Sequence, residues 1–180
     1  LQIEQLSLID LETGAYKQAA SVELLNRHRA MTARQSYTFS VCHVAVTGLP
    51  IVDSYQVESG HNHVLRQVVE ISTSLLREVD HVARIDAANF LLVLGGADWQ
   101  SAAQVARRFS QRMVEFNTLA DQQQISASIG IAEYQFDESL ASLLEHAGTA
   151  AGEACNFGPD STVTARHLGR DSLALACATL

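Results

Sequence analysis

An α+β sandwich is the fold this sequence predicts: a central antiparallel sheet of ferredoxin-like or palm-type order, flanked by helices. Three observations carry it. The apolar runs at 82–85 and 90–94 flank a polar turn at 86–89, and so read as a β-hairpin. Before that hairpin, Val64, Leu65, Val68, Val69, Ile71, Leu75 and Leu76 make a helical stripe, and after it Ala102, Val105, Ala106, Phe109 and Met113 make a second. Strand-like segments at 38–46 and 124–134 lie outside both stripes, which completes the order β-α-β-β-α-β.

The remaining elements follow along the chain. Leu1, Leu6, Leu8 and Ile9 form an apolar leading segment. Residues 16–32 read as a helix with Leu24, Leu25 and Ala30 on one side. Gly48 and Pro50 end the 38–46 strand, and the next helix starts near residue 51 with an interruption expected at Gly60. Asp98 is placed to cap the helix that Trp99 anchors. A helix over 140–154 stops before Gly158-Pro159, and 162–165 reads as a last short strand. The predicted organisation is a leading helix or linker from an upstream region over 1–9, one domain over 10–166, and a C-terminal tail or linker over 167–180.

Composition narrows the function classes. At 180 residues, 47% hydrophobic and 18% charged, the chain suits one globular domain. A net charge of −8 argues against a general nucleic-acid or anionic-membrane binder, which needs a basic face. Cys42, Cys155 and Cys177 are odd in number and lack CxxC spacing, so reduced thiols and a cytoplasmic setting are expected. No apolar run approaches the ~18 residues of a membrane span. The chain starts at Leu1 rather than a methionine, which suggests a piece of a longer protein.

The run from Asp80 through Arg84 to Asp86, Ala87, Ala88, Asn89 and Phe90 resembles the segment that names the GGDEF family of bacterial diguanylate cyclases. Asp80, Arg84 and Phe90 keep the frame D-x-x-x-R-x-G-G-D/E-E-F, while Asp86 to Asn89 replace its glycines and acids. Asp10-Leu11-Glu12-Thr13-Gly14 is similar to the D-x-L-T-G that opens these domains, and 126–132 to their T-V-S-I-G-I-A strand. The resemblance spans about 10–163 and implies a GGDEF-like fold.

It also implies a changed site. Family members hold GTP-bound magnesium with an aspartate ending the first strand and an acid in the turn, because a hard cation needs carboxylate oxygens. The ungapped register puts Ala45, Thr47 and Pro50 at the two aspartates and the lysine of that strand. A second register, matching Gly60-His61 to a family G-H, puts Gly48 and Pro50 at the aspartates instead. Ala88 and Asn89 stand for the turn acids, and 154–159 keeps the family's glycine but lacks the two phosphate-binding cations usual there. The expectation is therefore no cofactor, no metal and no enzyme, but a catalytically inactive regulatory or interaction domain of cyclic di-GMP signalling. Sensor or EAL-type phosphodiesterase domains are the adjoining partners implied, with a homodimer through helices.

Two binding readings stay open beside it. Asp53 and Asn62 fall at the guanine-reading positions, or else cap a helix and face solvent. Arg77-Glu78-Val79-Asp80 resembles the R-x-x-D that takes cyclic di-GMP in many cyclases, where an arginine grips a guanine edge and an aspartate accepts from its N–H groups. Arg107 or Arg108 would add a second cation. The plain alternative is a solvated helix end with Asp80 holding Arg84. An active diguanylate cyclase is the remaining alternative. His61 and His63 are poorly spaced for a metal on a helix, His43 reads as a packed core histidine, and Ser126 and Ser128 lack an activating partner.

Overall fold

The architecture is seen in a computed structural model that describes residues 8–33, 36–49, 55–120, 124–167 and 173–178. Strands β1 (Tyr16–Lys17), β2 (Phe39–Thr47), β3 (His81–Arg84), β4 (Asn89–Gly95), β5 (Ser126–Glu133), β6 (Thr162–His167) and β7 (Leu173–Ala178) form one sheet in the order β1-β3-β4-β2-β5-β6-β7. Helices α1 (Gln18–Thr32), α2 (Tyr55–Leu75), α3 (Trp99–Ala120) and α4 (Leu140–Phe157) cover it. The inner four strands, β3-β4-β2-β5, are antiparallel neighbours and have the expected ferredoxin-like order. β1 and β6 extend the sheet in parallel on its two sides.

Alternation along the central strands divides the core between the two faces. Cys42, Val44 and Val46 of β2 join Phe90, Leu92 and Leu94 of β4 under α2 and α3. The intervening Val41, Leu91 and Val93 face the other way, with Leu25 of α1 and Leu143 and Ala147 of α4. Burial pushes the Cys42 thiol up to about 12, with nearby Asp80 acting in the same direction, so that sulfur stays protonated and inert. His28 anchors α1 beside Leu25, its Nδ1 lying 2.7 Å from the Tyr37 hydroxyl. Burial, and then the proximity of His81, holds the His28 pKa below its ordinary value.

Several boundaries differ from expectation, each for a local reason. Tyr16 and Lys17 do not begin the first helix; they pair with Ala83 and Arg84 as β1. α4 runs on to Phe157, and Gly158 takes a φ of 115° where the helix ends. The segment expected as a tail forms β7, antiparallel to β6. The alternation Leu173-Ala174-Leu175-Ala176 is the strand signal that a tail reading neglects. Asp98 caps α3 as expected, its Oδ1 accepting the Ser101 N–H at 2.8 Å, and Trp99 packs half-buried against the core. Pro50 lies outside the described residues.

Gly60 does not interrupt α2, which is continuous from Tyr55 to Leu75. One glycine weakens a helix but is outweighed when the flanking stripe is buried. Gly60 is exposed, and an added Cβ would meet nothing within 4 Å. Gly60→Ala is therefore expected to stabilise the domain by about 0.5–1 kcal/mol in urea denaturation, the helix-propensity difference.

Candidate functional site

Strand pairing brings several of the positions singled out in the sequence together on one face of the sheet. Ala45 lies opposite Asn89 on β4 and Ser128 on β5, so the three side chains share a face. The β3–β4 turn is built differently from what its Asp and Asn residues suggest. Among the described residues the only non-glycine residues at positive φ are Asp137 and Asp160, so the turn uses no left-handed backbone. Asp86 Oδ1 instead accepts the backbone N–H groups of Ala88 (2.9 Å) and Asn89 (3.0 Å). Both Asp86 oxygens also accept from Asn89 Nδ2, at 2.8 and 2.9 Å. Partial burial opposes ionisation of Asp86, but these hydrogen bonds, with His43 nearby, hold its pKa below the usual carboxylate value.

Arg84 fastens this turn to the leading loop. Its Nε donates to the Asp86 carbonyl at 3.0 Å, while Nη1 donates to Asp10 Oδ2 (3.0 Å) and Glu12 Oε2 (2.6 Å). The guanidinium is only 15% exposed, so this cluster is better shielded than a surface ion pair. Burial opposes the charge on Arg84, and the two carboxylates outweigh it. Thr13 completes the loop, donating its hydroxyl to Asp10 at 2.6 Å, and Arg66 Nε of α2 donates to the Glu12 carbonyl at 2.6 Å. An open cleft of about 370 Å³ separates the loop from the turn, lined by Asp10, Glu12, Lys17, Arg84 and Asp86 among others.

The R-x-x-D residues sit at the α2–β3 junction. Asp80 is buried, with Oδ2 accepting the Arg77 backbone N–H at 2.9 Å and Oδ1 accepting the Gly95 N–H at 2.9 Å. Arg77 Nε is 3.8 Å from Asp80 Oδ2, on a side chain 63% exposed. Asp80 does not hold Arg84, whose carboxylate partners are Asp10 and Glu12. That pairing was missed because its members are far apart in sequence; the D-x-x-T-G motif was its only signal. Arg107 and Arg108 are exposed on α3, and Asn62 is half-buried on α2. Asp53 lies outside the described residues.

His43 is not the packed core histidine expected. It is half-buried midway along β2, with Nε2 3.1 Å from Asn89 Oδ1. Ser126 shares a 2.7 Å hydroxyl contact with Thr47. The divalent cation that the resemblance implies needs carboxylate oxygens. Ala45 offers a methyl, Asn89 an amide, and Asp86 Oδ1 already accepts two backbone N–H groups. Among the described residues no group of three or more His, Cys, Asp or Glu side chains is placed to hold a metal ion. This donor set does not fit a hard cation.

Comparison with known proteins places the chain among relatives. The family model described as "Diguanylate cyclase, GGDEF domain" matches residues 13–160. Diguanylate cyclase A of Treponema denticola is 30% identical over 120 residues, which cover 65% of this chain and 32% of that protein, so the chain spans about a third of its length. The Pseudomonas aeruginosa diguanylate cyclase SiaD, solved with its activator SiaC, superposes with a TM-score of 0.76 at 23% identity, over 88% of this chain and 62% of that one. The GGDEF domain of DgcB from Caulobacter crescentus, solved with c-di-GMP, gives 0.73 at 20% identity, over 86% and 93%. The family match corrects one expectation, that the chain is no enzyme: the matched family is that of the diguanylate cyclases, which are enzymes. No described helix is long and apolar enough to cross a membrane.

Proposed function

The chain belongs to the GGDEF family of cyclic di-GMP signalling domains, and on that footing we propose that it acts as a regulatory domain. In this reading it takes a guanine nucleotide and passes its state to the leading segment through Arg84. The observation that supports this is the single guanidinium shared by the β3–β4 turn and the Asp10–Glu12 loop. A change in the turn displaces that guanidinium, and two carboxylates of the leading loop move with it. Sensor or EAL-type domains before or after the segment, and a homodimer, belong to the same proposal.

Hydrogen exchange with and without cyclic di-GMP tests it. The ligand is expected to slow exchange at both 8–17 and 84–90. Arg84→Met is expected to keep the protection at 84–90 and lose it at 8–17. Protection at the turn alone in the unaltered chain would sink the coupling.

A second reading, a cyclic di-GMP receptor at Arg77, is favoured by the exposure of that guanidinium. Asp80 then supports the backbone rather than the ligand, since both its oxygens accept main-chain N–H groups. Calorimetry decides it: Arg77→Ala should abolish the heat of cyclic di-GMP binding, and an unchanged isotherm would remove this site.

A further inference from the structure

Aromatic rings gather where α1 meets the β1–β3 edge of the sheet. His28 of α1 stacks on Tyr37 at a centroid distance of 6.0 Å and tilts against Phe39 of β2 at 5.5 Å. It also lies 6.2 Å from His81 of β3, which Tyr16 of β1 meets edge-on at 5.5 Å. Gly95 of β4 lets the cluster close: an added Cβ there would stand 2.7 Å from the Tyr37 hydroxyl and 2.9 Å from His28 Cε1. Two imidazoles thus hold α1 and β1, the elements that follow the leading loop, against the sheet.

This setting suits neutral histidines. His28 is only 7% exposed, and the Tyr37 hydroxyl lies 2.7 Å from its Nδ1. That hydroxyl can donate to or accept from a neutral ring, whereas a doubly protonated ring can only donate. The charges nearby do not compensate a second proton. Asp80 attracts one, but its two oxygens already accept the main-chain N–H groups of Arg77 and Gly95, and Arg77 Nε is 3.8 Å from Oδ2. Arg27 of α1, itself paired with Glu23 at 3.1 Å, repels a charge on His81. β1 and β2 face the pair with Tyr16 and Phe39. Burial, then the neighbouring His81, lowers the pKa of His28; burial also leads at His81, against the pull of Asp80. A histidine depressed in this way contributes its full stabilisation above its unfolded pKa of about 6.5. That contribution is lost as pH falls through the lower folded value.

We infer that the His28–His81 pair is an acid-sensitive latch: mild acid places two cations 6.2 Å apart in a largely buried ring cluster and frees α1 and β1 from the sheet edge. The latch acts on the leading residues without a nucleotide, so it stands apart from the guanine-nucleotide reading above.

Hydrogen exchange of the chain at about pH 7.5 and about pH 5.5, each corrected for the intrinsic rate, tests it. Amides of α1 are expected to open about five- to tenfold more readily at the lower pH, the span that one depressed histidine supplies. α3 contains no histidine and should keep its protection, which makes it the internal reference. Proton NMR should show His28 titrating below the free imidazole value. His28→Gln still offers the Tyr37 hydroxyl a partner but takes up no proton, so it should flatten the response of α1. His81→Gln should reduce that response. Equal changes in α1 and α3, a His28 that titrates at or above the free value, or a full response persisting in His28→Gln overturns the inference. Should His28→Gln not fold, the titration of His28 in the unaltered chain still decides.

Discussion

Gly130→Ala is expected to cost the domain roughly 3 kcal/mol or more, the upper range for forcing an extra carbon into a packed interior. α4 crosses β5 directly over Gly130, and an added Cβ would overlap the Ala147 carbonyl oxygen, the Ala150 carbonyl carbon and the Ala151 nitrogen. These are backbone atoms of a helix, so no rotamer change relieves the clash; the whole helix must lift. Lifting it exposes Leu143, Ala147 and Ala150, which pack with Val41 and Leu91 of the sheet. Against a net stability of about 5–15 kcal/mol, that loss should appear as a large fall in the urea midpoint. Gly148→Ala, on the same helix but with room for its Cβ, should leave the midpoint unchanged or raised. A Gly130→Ala protein within about 1 kcal/mol of the parent would mean that α4 does not press on β5 as described.

Asp80→Ala is the second large effect, expected at roughly 3 kcal/mol, because it orphans two donors at once. The Gly95 N–H is buried beside Tyr37 and His28, where no solvent can replace the carboxylate easily. The Arg77 N–H loses the acceptor that turns the chain from α2 into β3. Arg77→Ala, by contrast, removes an exposed guanidinium from a 3.8 Å contact and should cost no more than about 0.5 kcal/mol. Urea denaturation of the two variants separates them. Equal small losses would show that Asp80 is free to serve a ligand, as the R-x-x-D resemblance implies; the expected inequality assigns it to the scaffold.

The contrast shows what a sequence carries. The fold was legible because its signals are local: two buried helical stripes, a hairpin, and strands of alternating or apolar character, each set by neighbours in the chain. The D-x-x-T-G and R-x-x-D patterns were legible as motifs, but not their partners. Arg84 meets Asp10 and Glu12 only because β1 pairs in parallel with β3. That pairing involves just two residues of β1 and leaves no periodic trace. His43 was misplaced for a related reason. Whether a histidine in an apolar strand is packed or polar depends on which residue of the neighbouring strand lies diagonally across from it. Here that residue is Asn89, and only the register reveals it. β7 was missed because a short alternation of Leu and Ala near a chain end reads as easily as a spacer.

A turn closed by Asp86 rather than by glycines also changes the unfolded chain. Alanine, asparagine and aspartate explore far less backbone space than a glycine pair, so less freedom is surrendered when the ribbon closes. The segment joining β3 to β4 is thus biased toward its bend before any distant contact exists, and its pairing spans few residues. Nucleation of the central sheet can begin there, at the turn that Asp86 closes.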